Sequence, residues 1–222
     1  MKKGLVIKST GSWYVVKDTD GIFYECRIKG NLRIKGLKTT NPLAVGDWVD
    51  FDWLEKDSQD QNRNMGLIYG VEERRNYIIR RSQNLSKQAH IIAANIDQAF
   101  LIITINYPVT TTTFIDRFLA SAEAYRIPVV LVFNKTDRYD PLQTQKMMEY
   151  ISIYEKIGYR CMQLSALEGS GMEELKAVMK DSISVFSGHS GVGKSTIINS
   201  IQPELNLKTK EISDYHETDR KS

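Results

Sequence analysis

The sequence predicts a small all-β barrel of the OB type followed by an α/β domain with a mostly parallel sheet. Residues 1–82 contain short strand patterns separated by turn signals. From residue 98 onward, strand patterns alternate with helix patterns, which is typical of three-layer α/β domains. Residues 188–195 fit G-x-x-x-x-G-K-[ST] between a strand pattern and a helix pattern. We therefore predict a barrel over 1–82, a linker over 83–97 and the α/β domain over 98–222.

The composition is typical of a soluble intracellular protein. The 222 residues carry a net charge of +3, too weak on its own to indicate nucleic-acid binding, and the basic excess lies in residues 1–82. Cys26 and Cys161 belong to no paired motif, which indicates a reduced compartment and excludes a zinc site built from cysteines. No signal-peptide core is present, and no apolar run approaches the ~20 residues of a membrane span. We expect a cytoplasmic monomer with no membrane partner.

Five strand patterns account for the predicted barrel. Asp18-Thr19-Asp20-Gly21 is a hairpin turn signal between the second and third patterns. The fourth pattern alternates apolar and acidic side chains, as a half-buried strand does. The five patterns lie at residues 5–7, 13–16, 22–28, 46–54 and 65–71. Five short strands in a segment of this length suit a small Greek-key barrel.

Basic side chains in the barrel segment are candidates for nucleic-acid contact, because OB barrels often bind RNA through their loops and exposed aromatic rings. The loop over 29–46 carries Lys29 and the three candidate RNA contacts Arg33, Lys35 and Lys38, and the last strand is followed by Arg74, Arg75, Arg80 and Arg81. A solvated barrel surface with a basic linker explains the same residues. The sequence leaves both interpretations open.

Strands and helices alternate through the second domain. Apolar runs at 99–104 and 128–133 indicate buried parallel strands. The predicted helix between them, residues 111–126, places Phe114, Phe118 and Ala122 on one face. The remaining patterns predict a helix at 142–157, a strand at 159–164, a helix at 171–180, a strand at 182–186 and a helix from 196. Polar motifs follow three of these strands, where ligands bind in such sheets.

The motif at 188–195 is a candidate phosphate-binding P-loop. Its residues are Gly188, His189, Ser190, Gly191, Val192, Gly193, Lys194 and Ser195, with Thr196 next in the helix. Glycines let successive N–H groups point at one centre, and the following helix adds the positive end of its dipole. Lys194 is expected to reach the β- and γ-phosphates, and the Ser195 hydroxyl to bind Mg²⁺. We assign His189 no catalytic role. The alternative is a glycine-rich turn that binds nothing.

A second motif, Asn134-Lys135-Thr136-Asp137, fits N-K-x-D at the end of a buried strand. Guanine presents two donors on one edge, and the Asp137 carboxylate is placed to accept both. Adenine would leave that carboxylate unpaired, so an ATPase is disfavoured. Asn134 is expected to tie this loop to the P-loop and the base, with the Lys135 stem covering the base plane. A surface turn or helix cap is the alternative for the motif alone.

A third motif follows the next predicted strand. Ser165-Ala166-Leu167 resembles the S-A-[KL] loop in which the backbone N–H at the Ala166 position meets guanine O6. The P-loop follows the strand after that. All three loops are therefore expected at the same edge of one sheet, and this spacing strengthens a nucleotide-binding interpretation.

The order of the motifs is a circular permutation, because ordinary GTPases carry the P-loop first and N-K-x-D and S-A last. With the barrel before it, the chain closely resembles the ribosome small-subunit-dependent GTPase A family, the YjeQ/RsgA-type bacterial GTPases. The resemblance rests on 134–137, 165–167, the run S-G-H-S-G-V-G-K-S-T over 187–196, and the barrel. It implies a GTPase that binds GTP or GDP with Mg²⁺, acts late in maturation of the 30S ribosomal subunit, contacts 16S rRNA through the barrel, and is stimulated by the ribosome.

The match to that family ends early. The family continues into a switch region with D-T-P-G and a zinc-binding domain, whereas no D-x-x-G follows Lys194 and no cysteine follows Cys161. Zinc is expected in the family, but its ligands are absent from this chain. We expect a truncated chain, rather than a diverged one, that hydrolyses GTP poorly on its own. The alternative function is a ribosome- or RNA-binding module with little or no GTPase activity.

Overall fold

The computed structural model describes residues 1–30, 42–54, 65–81 and 89–207. The chain divides into two compact units, Met1–Ile96 and Asp97–Ser222. Among the helices described in these ranges, none is long and apolar enough to cross a membrane.

The first unit contains a closed five-stranded barrel. Its strands are β1 (Lys2–Thr10), β2 (Trp13–Asp18), β3 (Phe23–Ile28), β4 (Trp48–Leu54) and β5 (Met65–Val71). The order around the barrel is β1-β2-β3-β5-β4, with β3 and β5 parallel and the other pairs antiparallel. The predicted OB-like barrel is therefore confirmed. Period-two alternation explains it, since buried side chains such as Val16, Tyr24 and Phe51 point inward from successive strands.

A two-stranded antiparallel sheet of β6 (Tyr77–Arg81) and β7 (Ala89–Ala94) belongs to the same unit. The Ala94 N–H donates to the Val45 carbonyl at 2.8 Å, before the barrel strand β4. Gly46 has a φ of +92°, and a Cβ there would collide with the Ala94 carbonyl, so the close approach requires glycine. The segment over 83–97, expected to be a linker, therefore contains a strand. Its buried Ile91 and Ala93 alternate with the exposed Ile92, a strand pattern that the linker assignment overlooked.

One of the basic residues considered for RNA contact has a structural role. The Arg74 guanidinium donates from Nε to Asp47 Oδ1 and from Nη2 to Asp47 Oδ2, both at 2.7 Å. Both side chains are buried, with 7% of Arg74 and none of Asp47 exposed. Arg74 is thus occupied by a bidentate internal ion pair. Arg33, Lys35 and Lys38 lie outside the described residues.

The second unit has a four-stranded parallel sheet with the order β10-β9-β8-β11. Its elements are β8 (Gln98–Ile103), α1 (Thr112–Ala124), β9 (Val129–Phe133), α2 (Pro141–Lys156), β10 (Arg160–Gln163), α3 (Met172–Met179), β11 (Ser184–Ser187) and α4 (Lys194–Ile201). The predicted α/β domain with a mostly parallel sheet is confirmed. The central strands β8 and β9 are almost wholly buried, as their continuous apolar runs predict.

Helix α1 differs from its predicted orientation. It buries Ile115, Leu119 and Ala122, whereas Phe114 and Phe118 are only partly buried at the border of this face. Both sets have helical spacing, so periodicity alone does not separate them. The Thr111 hydroxyl caps the helix by accepting from the Phe114 N–H at 3.3 Å, which fixes the start of α1 one residue later than predicted.

Candidate nucleotide site

Three loops meet at the carboxyl edge of the parallel sheet. Residues 134–137 follow β9, residues 165–167 follow β10, and residues 188–193 join β11 to α4. Parallel strands place all their carboxyl ends at one edge, so loops that are distant in sequence become neighbours.

Asn134 joins all three loops through one buried side chain, of which 1% is exposed. Its Nδ2 donates to the Val192 carbonyl in the glycine loop at 2.8 Å. Its Oδ1 accepts from the Ala166 N–H at 3.2 Å. Donor and acceptor of a single amide are therefore both used inside the site, and the loops cannot shift independently of one another.

The Asp137 carboxylate is held by the neighbouring loop. The Ser165 hydroxyl donates to Asp137 Oδ1 at 2.6 Å and accepts from the Glu168 N–H at 3.2 Å. The Thr136 N–H and hydroxyl both donate to the Leu164 carbonyl at 3.2 Å. The N-K-x-D loop, residues 134–137, is thus fixed against the end of β10. Only 9% of the Asp137 side chain is exposed. Carboxylate oxygens carry enough lone pairs to accept further donors beside the Ser165 bond.

The glycine loop has the backbone of an anion-binding nest. Gly188, Gly191 and Gly193 have φ values of +141°, +85° and +98°. At Gly188 a Cβ would lie 2.5 Å from the Ile102 carbonyl oxygen, so the loop lies directly against β8. Within the described part of the chain, the amides of Gly191, Gly193 and residues 194–196 have no hydrogen-bond acceptor. Free N–H groups at a helix N-terminus suit phosphate oxygens.

Lys194 lies across this loop. Its Nζ donates to the carbonyls of Gly188 at 2.8 Å and His189 at 2.6 Å. Burial lowers the pKa of the Lys194 ammonium. A bound phosphate would raise that pKa again by pairing with the charge. The partly buried Ser195 hydroxyl makes no hydrogen bond to any described residue and is free to bind a cation. These residues therefore fit a nucleotide phosphate chain with Mg²⁺.

Three contacts near the site are not indicated by the motifs, although His189 and Lys135 belong to those motifs. The Phe114 ring lies against the His189 ring with centroids 3.9 Å apart. The Tyr139 hydroxyl and the Lys135 ammonium both bond to backbone atoms of the loop between β8 and α1. No sequence pattern indicates these contacts, because the partners of Tyr139 and Lys135 are backbone atoms that any residue type supplies.

The described residues contain no group of three or more His, Cys, Asp and Glu side chains placed to hold a metal ion. The Ser195 hydroxyl is the group here that could hold Mg²⁺ together with nucleotide oxygens, since Mg²⁺ often binds through one or two protein groups and substrate phosphates.

Comparison with known proteins identifies the family. The family model described as RsgA GTPase matches residues 71–221, and the model of the RsgA N-terminal domain matches residues 3–67. The chain belongs to the RsgA GTPase family. The predicted family, and GTP hydrolysis as the enzyme class, are confirmed. The boundary between the two RsgA models falls before β6, whereas the compact units divide after Ile96.

Individual RsgA relatives cover nearly all of this chain. The small ribosomal subunit biogenesis GTPase RsgA of Phocaeicola vulgatus is 57% identical over 214 residues, which are 96% of this chain and 67% of that protein. The crystal structure of YjeQ from Thermotoga maritima matches with a TM-score of 0.73 and 35% identity, covering 94% of this chain and 68% of that one. YloQ, described as a circularly permuted GTPase, matches with a TM-score of 0.64 and 29% identity, covering 92% and 65%. The chain spans about two thirds of each of these proteins.

Proposed function

We propose that this chain binds GTP and GDP with Mg²⁺, hydrolyses GTP, and acts in biogenesis of the small ribosomal subunit. The observation that carries the nucleotide proposal is the Asn134 amide, which joins the N-K-x-D loop, the Ala166 loop and the glycine loop. A chance N-K-x-D surface turn has no reason to be bonded to a P-loop. The role in the small subunit rests on the function of the RsgA relatives, which are GTPases of small ribosomal subunit biogenesis.

Each residue has a defined task in this proposal. Asp137 accepts the two guanine donors, and the Ala166 N–H, which donates to Asn134 Oδ1 at 3.2 Å, would be shared with guanine O6. The amides of residues 188–196 and the Lys194 ammonium bind the phosphates, and the Ser195 hydroxyl is a ligand of Mg²⁺. Bound Mg²⁺ supplies neutralisation of the charge that develops on the phosphate oxygens. The contribution of this chain is to orient the nucleotide and stabilise its negative charge with fixed dipoles.

Base selection is tested by nucleotide competition. A fluorescent GDP analogue is titrated with Mg²⁺ and competed with unlabelled GDP, GTP, ATP and xanthosine diphosphate. Guanine nucleotides alone should compete with the wild-type chain. Asp137→Asn should lose GDP affinity at least about tenfold and gain xanthosine diphosphate, because an amide can donate to the xanthine oxygen. Asp181→Asn is the matched control, since Asp181 is an acidic residue outside the three loops. Equal competition by ATP, or no gain for xanthosine diphosphate, would contradict the assignment.

We further propose that the barrel contacts 16S rRNA in the 30S subunit through Arg33, Lys35 and Lys38, and that the protein works as a cytoplasmic monomer. The basic excess of residues 1–82 supports this proposal. The barrel also carries cation–aromatic pairs, with the Arg27 guanidinium 3.8 Å from the Trp13 ring centroid and the Lys29 ammonium 4.7 Å from that of Tyr69. Such surfaces suit stacked bases and phosphates.

Salt dependence separates this contact from general attraction between charges. Replacing Arg33, Lys35 and Lys38 by glutamine should lower affinity for 30S subunits and reduce the slope of log K against log salt. A second triple variant replaces lysines that are exposed in the α/β unit, Lys146, Lys156 and Lys180. It removes the same charge and should leave the slope close to that of the wild type. Equal slopes for both variants would exclude this loop from the interface.

A further inference from the structure

Tyr139 lies two residues beyond the N-K-x-D motif, and its hydroxyl makes two hydrogen bonds. It donates to the Asn134 carbonyl at 2.6 Å and accepts from the Ile105 N–H at 3.0 Å. Both partner residues are buried, with 1% of Asn134 and 4% of Ile105 exposed. Buried backbone groups need a partner, and here one phenol oxygen satisfies two of them.

The bond to Asn134 closes the turn that carries Asp137. Asn134 begins this turn and Tyr139 ends it, so the hydroxyl bond joins its two ends. The Tyr139 N–H also donates to the Thr136 carbonyl at 3.4 Å, inside the same turn. The direction of the Asp137 carboxylate therefore depends on a turn that the Tyr139 hydroxyl holds closed.

The bond to Ile105 ties this turn to a second loop, residues 104–111 between β8 and α1. Lys135 makes a parallel tie, because its Nζ donates to the Tyr107 carbonyl at 2.6 Å. The loop is closed on itself at its base, where the Thr110 N–H donates to the Thr104 carbonyl at 2.9 Å and the Thr110 hydroxyl accepts from the Thr104 N–H at 3.2 Å. The turn with Asp137 thus rests on a loop held by its own hydrogen bonds.

The hydroxyl stays protonated at any working pH, since burial raises the pKa of Tyr139 to about 12. Tyr139 therefore always has a proton to donate to Asn134.

We infer that Tyr139 is a positioning residue for guanine recognition, whose hydroxyl fixes the Asp137 turn and anchors it to the β8–α1 loop. This inference rests on the proposed nucleotide function. Tyr139 lies outside all three motifs, yet it would control how well the Asp137 carboxylate meets the two guanine donors. Loss of the hydroxyl should weaken base recognition more than phosphate binding.

The test compares GDP with inosine diphosphate, which lacks the exocyclic amine that Asp137 would accept. The dissociation constants of both are measured for the wild type, Tyr139→Phe and the matched control Tyr154→Phe. Tyr154 is buried, and its substitution removes one side-chain hydroxyl bond, to Asp116 at 2.9 Å between α2 and α1. In Tyr139→Phe the preference for GDP over inosine diphosphate should fall about three- to tenfold, the effect of about one hydrogen bond. Tyr154→Phe should keep the wild-type preference.

The outcomes are distinguishable. No GDP binding by the wild type would refute the proposed function itself. A Tyr139→Phe variant that weakens both ligands equally, or neither, would overturn the positioning role and leave the nucleotide proposal intact. If Tyr139→Phe does not fold, hydrogen exchange of the Ile105 amide in the wild type decides instead. GDP should slow that exchange at least about tenfold, because the turn and Ile105 share one hydroxyl. Unchanged exchange on GDP binding would overturn the inference.

Discussion

Gly193 is the position where the glycine loop and the N-K-x-D loop come closest, and replacing it with alanine tests their coupling. Its φ is +98°, and a Cβ there would collide with the Asn134 side-chain amide nitrogen. The substitution therefore has two costs. A left-handed conformation costs a non-glycine residue about 1–2 kcal/mol. Displacing Asn134 breaks its 2.8 Å bond to the buried Val192 carbonyl, which costs about 1–3 kcal/mol more.

A second glycine separates these two costs. Gly158, between α2 and β10, has a φ of +96°, and a Cβ there would have no neighbour within 4 Å. Gly158→Ala should therefore carry only the backbone cost. We expect a loss of about 1–2 kcal/mol for Gly158→Ala and about 2–5 kcal/mol for Gly193→Ala. GDP affinity should fall in Gly193→Ala and remain unchanged in Gly158→Ala.

Urea denaturation followed by far-ultraviolet circular dichroism measures the free energy of unfolding of the α/β unit, because all the described α-helices lie in that unit. All three tryptophans lie in the first unit, so their fluorescence monitors the barrel separately. A double-mutant cycle with Asn134→Ala provides the decisive comparison. Once the Asn134 side chain is removed, Gly193→Ala should cost no more than Gly158→Ala. An unchanged cost, or equal losses for the two single glycine variants, would refute the reasoning.

Two further predictions concern single buried groups. Arg74→Ala leaves the Asp47 carboxylate buried without its cation and should destabilise the barrel by about 3–5 kcal/mol, measured by tryptophan fluorescence in urea. Lys3→Ala, which removes a solvent-exposed ion pair of the same unit, should have a much smaller effect; equal losses would contradict the structural role of Arg74. Burial raises the pKa of Cys26 and of Cys161 to about 12, so at pH 8 both should react with a thiol reagent about a thousandfold more slowly than in the urea-denatured chain. Rapid labelling of Cys26 in the native protein would contradict its burial.

The sequence predicts most of the architecture because the fold has strong periodic signals. Each barrel strand and each element of the α/β unit appears within a few residues of its predicted place. The errors have physical causes. Helix α1 offers two apolar faces at the same spacing, and the fold buries Ile115 and Leu119 rather than the two phenylalanines. The strand β7 pairs with the preceding β6 and bonds to Val45, and its apolar alternation is too short to separate a strand from a linker by sequence alone.

The sequence predicts the candidate site only where its residues belong to recognisable motifs. The P-loop, N-K-x-D and Ser-Ala motifs lead directly to the three loops that the structure brings together. Tyr139 and Ile105 are different, because one contributes a hydroxyl to backbone atoms and the other only its N–H. Arg74 shows the opposite error. Its charge suggests a surface role, and only the fold shows that the Arg74 guanidinium is bonded to the buried Asp47 carboxylate.

The order of the three loops along the chain also has a consequence for synthesis. Val192, the acceptor of the Asn134 amide, lies 58 residues further along. The strands β8, β9 and β10 follow one another in sequence and can pair while the rest is still being made. During that interval the Asn134 Oδ1 can already accept from the Ala166 N–H, but its Nδ2 lacks the Val192 carbonyl. The N-K-x-D loop is thus translated first and fixed against the end of β10, but its bond to the glycine loop forms last, when β11 adds beside β8. A nascent chain therefore cannot capture a nucleotide before its phosphate loop has emerged.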